Sequence, residues 1–226
     1  MSAVTAIFIK QLNDFPKNMS VSIMYLLWPA IAFLMGHFMG EYGETQVAMF
    51  AGMFVGSTPM IAIANTVAED NEYKGLRFLV MAGVKPWQYL LGLSGSVLLL
   101  SAVSVTAFVF IGNFAGELLI RFLIVAALSC FASAILGGAI GIFAKNVQQA
   151  SALYTPAMML LMFAPMLSMF NESIQRVAQF VFSYQVLRIV LDPYADFERA
   201  LLIIGANIVA LLVFFIVAYQ KKGLKG

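Results

Sequence analysis

The sequence predicts an all-α polytopic membrane protein with six transmembrane helices, and three observations carry that prediction. Hydrophobic residues make up 62% of the chain and charged residues only 11%, with a mean hydropathy of +0.92. A soluble domain of this length needs far more polar surface to cover its core. The apolar residues also fall into six runs, each near the ~20 residues that cross a ~30 Å hydrocarbon layer. The charges gather between those runs, as a single membrane domain spanning 1–226 requires.

The first element, within 1–18, is amphipathic. Val4, Ile7, Phe8, Leu12 and Phe15 recur at helical spacing, with Lys10, Asn13, Asp14 and Lys17 largely between them. This predicts an N-terminal interfacial helix that Pro16 ends or bends into the first span. No cleavable leader is expected, because no small-residue site follows a short apolar core. The spans are expected over about Met19–Met39, Val47–Ala68, Tyr89–Gly112, Ile120–Ala144, Ala150–Phe170 and Ala200–Tyr219. Between the last two lies 171–199, too long for a tight turn and too apolar for a solvated loop. Ile174, Val177, Val181, Tyr184, Leu187, Val190 and Leu191 give it a helical pattern that Asp192-Pro193 interrupts. It is expected to be an interfacial or re-entrant helical element, since irregular backbone at membrane depth is tolerated only against protein.

Orientation follows from the cations. Six spans place both termini on one side. There fall Lys10, Lys17, Lys74, Arg77, Lys85, Lys145, Lys221, Lys222 and Lys225, while the other side carries only Arg121, Arg176, Arg188 and Arg199. Every lysine is on the first side, which the positive-inside rule assigns to the cytoplasm. The expected setting is the plasma membrane of a bacterium.

Much chemistry is excluded. There is no phosphate-cradling Gly-rich loop ending in Gly-Lys-Ser/Thr, no His-Glu-x-x-His, no paired cysteines and no Gly-x-Ser-x-Gly. No metal site or cofactor is expected on this chain. Cys130 is the only cysteine and sits in an apolar run, where it reads as a packing residue. His37, the only histidine, lies near the outer end of the first span and fits packing better than proton relay. The span centres carry essentially no ionisable groups, which speaks against proton coupling. The net charge of +2 gives no reason to expect nucleic acid.

What remains is a membrane conduit with no energy source of its own, and one charged island, 69–88, at which a partner would act. Leu76, Leu79, Val80, Gly83, Val84 and Trp87 fall at helical steps that share a face, while Arg77, Met81 and Lys85 project elsewhere. Glu69, Asp70 and Glu72 lie upstream, where carboxylates favour a helix N-terminus. Gly83 and Pro86 then turn the chain into the third span. Periodicity alone equally admits a helix resting on the membrane surface.

The motifs Glu69-x-x-Glu72-x-x-Gly75-Leu76-Arg77-Phe78-Leu79 and Gly83-Val84-Lys85-Pro86-Trp87, set in this topology, resemble the membrane subunit of type-2 ABC exporters. The basic tail after Tyr219 is similar too. The resemblance covers the whole chain. It implies a cytosolic coupling helix between spans two and three and a re-entrant extracellular element between spans five and six. It also implies a separate cytosolic ATP-binding subunit that carries ATP and Mg, and pairing of two permeases as a homodimer or with a similar chain. Glu69, Glu72, Gly75, Leu76, Arg77, Leu79 and Pro86 are the expected coupling residues, as transmitters of movement and not as catalysts.

For cargo, Met158, Met162, Met166 and Met169 form a stripe on the fifth span. Methionine suits a surface that adapts to varied apolar molecules, although a gap-filled helix contact explains the stripe at least as well. Gly36/Gly40, Gly52/Gly56 and Gly137/Gly141 permit close helix approach, and the resemblance makes Gly36 and Gly40 the expected dimer contact. The expected function is export of an amphiphilic or hydrophobic substrate: a drug, a lipid-like molecule or a peptide such as a bacteriocin. The alternatives are a self-sufficient channel or ion-coupled carrier, and an integral-membrane enzyme or assembly factor.

Overall fold

The computed structural model describes residues 2–14, 19–38, 43–192 and 196–223. These are helical almost throughout. In chain order the helices are α1 (Ala3–Asp14), α2 (Met19–Phe38), α3 (Gly43–Glu72), α4 (Gly75–Met81), α5 (Pro86–Ile111), α6 (Gly116–Phe143), α7 (Val147–Ser168), α8 (Glu172–Ala178), α9 (Phe182–Leu191) and α10 (Phe197–Gly223). Six of them, α2, α3, α5, α6, α7 and α10, are long and apolar enough to cross a membrane.

α3 is the hub. It packs most extensively on α6 and α7 and also meets α2, α5 and α9. Its buried run from Ala51 to Ala64 is unbroken around the helix, as expected of a span with protein on every side. Small residues make that possible. A methyl group on Gly137 of α6 would lie 2.3 Å from the Met60 carbonyl oxygen of α3. On the opposite flank, one on Gly56 of α3 would lie 2.7 Å from the Leu161 carbonyl oxygen of α7. The glycine pairs of α3 and α6 therefore serve contacts within the chain. At 30 residues and ~1.5 Å per residue, α3 is about 45 Å long. It is thus longer than the ~30 Å hydrocarbon layer.

α2, α7 and α10 form the periphery. Leu26 is 66% exposed, Leu160 74% and Leu202 74%. Apolar surface on this scale belongs against lipid tails or another membrane subunit. The two chain ends lie at one end of the bundle: α1 is joined to the C-terminal turn of α3, and Tyr219 of α10 donates to the Val84 carbonyl.

The segment after α7 forms two short helices joined through Gln179–Val181. α9 is buried along most of its length and packs on α3, α6 and α7. Ser129, midway along α6, donates to the Phe182 carbonyl at 3.3 Å, and Ser183 donates to the Leu161 carbonyl of α7 at 2.7 Å. The α7–α9 chain thus descends beside the middle of α6 rather than lying across its end.

Two sequence expectations are corrected. Glu69, Asp70 and Glu72 are not at the start of the island helix: α3 runs through Glu72, so they occupy its last turn. Carboxylates are disfavoured there by the helix dipole, and for Asp70 the cost is offset by the partners described below. Trp87 does not share a face with Leu79, because α4 ends at Met81 and Trp87 is in the first turn of α5. Gly40 and Pro193 lie outside the described residues.

Candidate functional site

The chain leaves α3 through Tyr73 and Lys74. Lys74 has φ 58°, a left-handed conformation that costs a lysine roughly 1 kcal/mol or more. Its amide donates to the Asn71 carbonyl at 3.1 Å, and its own carbonyl accepts from the Phe78 amide at 3.2 Å. One residue thus closes α3 and opens α4. At the other end of α4 the Val84 amide donates back to the Leu79 carbonyl at 3.0 Å, with Gly83 at φ 78°. This Schellman arrangement favours glycine at its left-handed position. Pro86 then opens α5, its missing N–H costing nothing at the first helical position. The Lys85 amide is satisfied by Gln88 Oε1 at 2.9 Å. The island is therefore a seven-residue helix between two defined caps.

Its base is tied to three other helices. Asp70 Oδ1 accepts from Lys10 Nζ of α1 at 2.9 Å, and Oδ2 accepts from the Tyr89 hydroxyl of α5 at 2.8 Å. Gln11 Nε2 donates to Thr66 Oγ1 at 2.8 Å. Asn71 Nδ2 reaches the carbonyls of Gly141, Ile142 and Ala144 at 3.0, 3.3 and 2.9 Å, satisfying acceptors that the end of α6 leaves open. The last turn of α3 is thereby joined to α1, α5 and α6. By sequence Asp70 is only a carboxylate expected to favour a helix start and Lys10 only a cation of the interfacial helix; their meeting, and the parts played by Asn71 and Tyr89, are not expected. The opposite charges of Lys10 and Asp70 were visible, but nothing local pairs groups 60 residues apart.

α4 presents two faces. Leu79 and Val84 turn inward and pack against the core. Leu79 also lines a 330 Å³ groove between α4, α1 and α5, with Ile7, Phe78, Ala82 and Leu93. The open side is Phe78 and Met81, 63% and 67% exposed, with Phe78 also bordering the groove; the two are three residues apart, hence neighbours on the helix. Tyr73 and Trp87 on the flanking turns are exposed too. Leu79 and Val84, just past the helix end, are thus partly used within the chain, and Phe78 and Met81 are open, while the side chain of Val80, from the same expected face, lies outside the described residues. Of the expected coupling residues, Glu72 is exposed, Glu69 and Gly75 are half-buried and Pro86 is half-buried at the start of α5. Leu76 and Arg77 belong to α4, but their side chains lie outside the described residues.

The other expected sites disperse. Met158, Met162 and Met166 are half-buried beside the packed face of α7 formed by Leu161, Pro165 and Ser168, and Met169 caps that helix. Gly36 faces Val47 and Gly43 of its own α3 hairpin. His37 stacks on Phe33. Cys130 is fully buried in α6. Among the described residues no group of His, Cys, Asp and Glu is placed to hold a metal ion.

A family model described as "ABC-2 family transporter protein" matches residues 1–219. No curated protein sequence matches the chain.

Proposed function

The chain belongs to the ABC-2 family of transporter proteins, and on that premise we propose that it is the permease of an ATP-driven exporter, moved from the cytoplasm by a separate ATP-binding subunit that grips α4. The chain itself is a transport subunit, not an enzyme. The observation that supports this grip is the pair of open apolar side chains, Phe78 and Met81, on a short helix fixed at both ends. An apolar anchor of this kind fits a groove on a soluble partner. Glu69, Glu72, Gly75, Leu76, Arg77, Leu79 and Pro86 frame that anchor, the first two adding charge at its rim.

The direction of force follows from the attachments. A push on α4 acts first on the last turn of α3, its neighbour across Lys74. Asp70 and Asn71 distribute that push to α1, α5 and α6. α3 is packed along its length, so it moves as a rod and carries α7 and α9 with it. The α8–α9 unit then acts as a re-entrant outer element, closing or opening the exit as α3 shifts. The bare apolar faces of α2, α7 and α10 would meet lipid and a second permease, with Gly36 and Gly40 near that seam. The cargo is an amphiphile moving along the α7 side, where Met158, Met162, Met166 and Met169 lie.

Purification in mild detergent with native partners tests this reading, followed by reconstitution into vesicles with a fluorescent amphiphile. An ATP-binding subunit is expected to co-purify, and flux is expected to require both that subunit and ATP. Equal flux from the chain alone would establish a self-sufficient channel or carrier instead.

A further inference from the structure

The end of the bundle opposite the chain termini carries arginines and no lysine, and three of them meet. Arg176 of α8, Arg188 of α9 and Arg199 of α10 line one cavity of 610 Å³, a volume in the range of small-ligand sites. The fourth, Arg121, is accounted for: it pairs with Glu117 and lies over the Phe197 ring. Among the described residues none of the other three is in a salt bridge. Among the described residues Asp192 is the one carboxylate on the cavity wall, which three arginines share. Asp196 is nearby but accepts from the Arg199 backbone amide at 3.0 Å.

The rest of the wall is built to orient a charged group. Tyr184 is 7% exposed, and its hydroxyl already accepts from Gln175 Nε2 at 3.2 Å, which leaves its proton to donate. Gln179 Oε1 accepts from Arg199 Nη2 at 3.1 Å and fixes that guanidinium. Met169, Leu187 and Leu191 supply an apolar side to the same space. Arginines from three helices beside an apolar wall match one ligand chemistry.

We propose that this cavity binds the anionic headgroup, phosphate or carboxylate, of an amphiphile whose tail lies on Met169, Leu187 and Leu191. Guanidinium forks recognise both oxyanions in a bidentate manner. The cavity's place at the outward exit rests on the exporter reading, whereas its binding of anions does not.

The test uses the full chain purified in neutral nanodiscs, titrated with dihexanoyl phosphatidylglycerol, dihexanoyl phosphatidylcholine and inorganic phosphate. The phosphatidylglycerol probe is expected to bind about tenfold more tightly than the phosphatidylcholine probe, as charge-assisted pairing implies. Added salt should erode that preference, and inorganic phosphate should compete for the site. Combined Arg176→Gln, Arg188→Gln and Arg199→Gln removes the preference. The matching triple lysine variant keeps the charge and most of the preference, which separates ligand binding from misfolding, and Arg121→Gln changes nothing. If the wild type retains bilayer phosphatidylglycerol through purification and the glutamine variant does not, the occupant is a membrane lipid. If neither retains it yet the added probe still binds, the occupant is a passing amphiphile. Equal binding of the two lipid probes, or a preference that survives in the glutamine variant, overturns the proposal. Failure of ATP-driven flux with binding intact would instead count against the exporter reading alone.

Discussion

Valine at Gly137 is expected to leave no folded monomer. Even the first added carbon would lie 2.3 Å from the Met60 carbonyl oxygen and 2.9 Å from two further backbone atoms of α3. Backbone cannot rotate away as a flexible side chain can. Nor can α3 retreat, because its other flank meets α7 at Gly56 and Gly52, where added carbons would lie 2.7 Å from Leu161 and 3.2 Å from Pro165. Overpacking a core commonly costs ~1–3 kcal/mol, and a helix held on both sides belongs above that range. The control is Gly205→Ala on α10, where nothing lies within 4 Å. There alanine should be neutral or stabilising by up to about 1 kcal/mol through helix propensity. Size-exclusion profiles and thermal unfolding in detergent check both. A monodisperse Gly137→Val protein with unchanged Tm would mean that α3 and α6 do not pack in this way.

The second large effect is expected at α4. Aspartate at Phe78 or Met81 should cut ATP-dependent transport about tenfold or more while insertion and Tm stay unchanged, as happens when an apolar interface anchor is replaced by a charge. Both side chains are open, so the folded chain has little reason to resist the change. Leu79→Ala is the contrast. Leu79 packs inward on the core, so its loss should lower Tm before it affects the partner. Transport assays set beside partner pull-down separate the two outcomes. Normal transport by Phe78→Asp and Met81→Asp would remove α4 from the coupling path.

The six spans were legible because hydrocarbon imposes a length and a composition that no tertiary contact overrides. Predicted and observed ends differ by no more than four residues. The Val47–Ala68 estimate missed the four residues that carry α3 through Glu72, because hydropathy falls where the helix leaves the membrane although its hydrogen bonds continue. That error also misplaced the acids. Among them Asp70 is held by Lys10 and Tyr89, whose approach is decided by tertiary packing. The face of α4 was only partly legible for a related reason: periodicity identifies which residues are apolar together, but not which of two apolar surfaces, the bundle or a partner, each one meets. Leu79 and Phe78 are adjacent and both apolar, and both border the groove over α1 and α5; only how far each is covered there distinguishes them, Leu79 half-buried and Phe78 mostly open. The arginine cavity was half visible. The bias of arginine over lysine on one side was plain in the sequence, whereas the convergence of Arg176, Arg188 and Arg199 required the fold of α8, α9 and α10.

Single-cysteine chemistry at position 78 addresses the coupling scheme most directly. Cys130 is wholly buried, so Phe78→Cys introduces the one accessible thiol among the described residues. In native membranes an impermeant maleimide should label it only from the cytoplasmic face, and a short bifunctional crosslinker should join it to an ATP-binding subunit. Labelling from outside intact cells, or a site that reacts from the inside but captures no such subunit, would contradict a permease driven through α4.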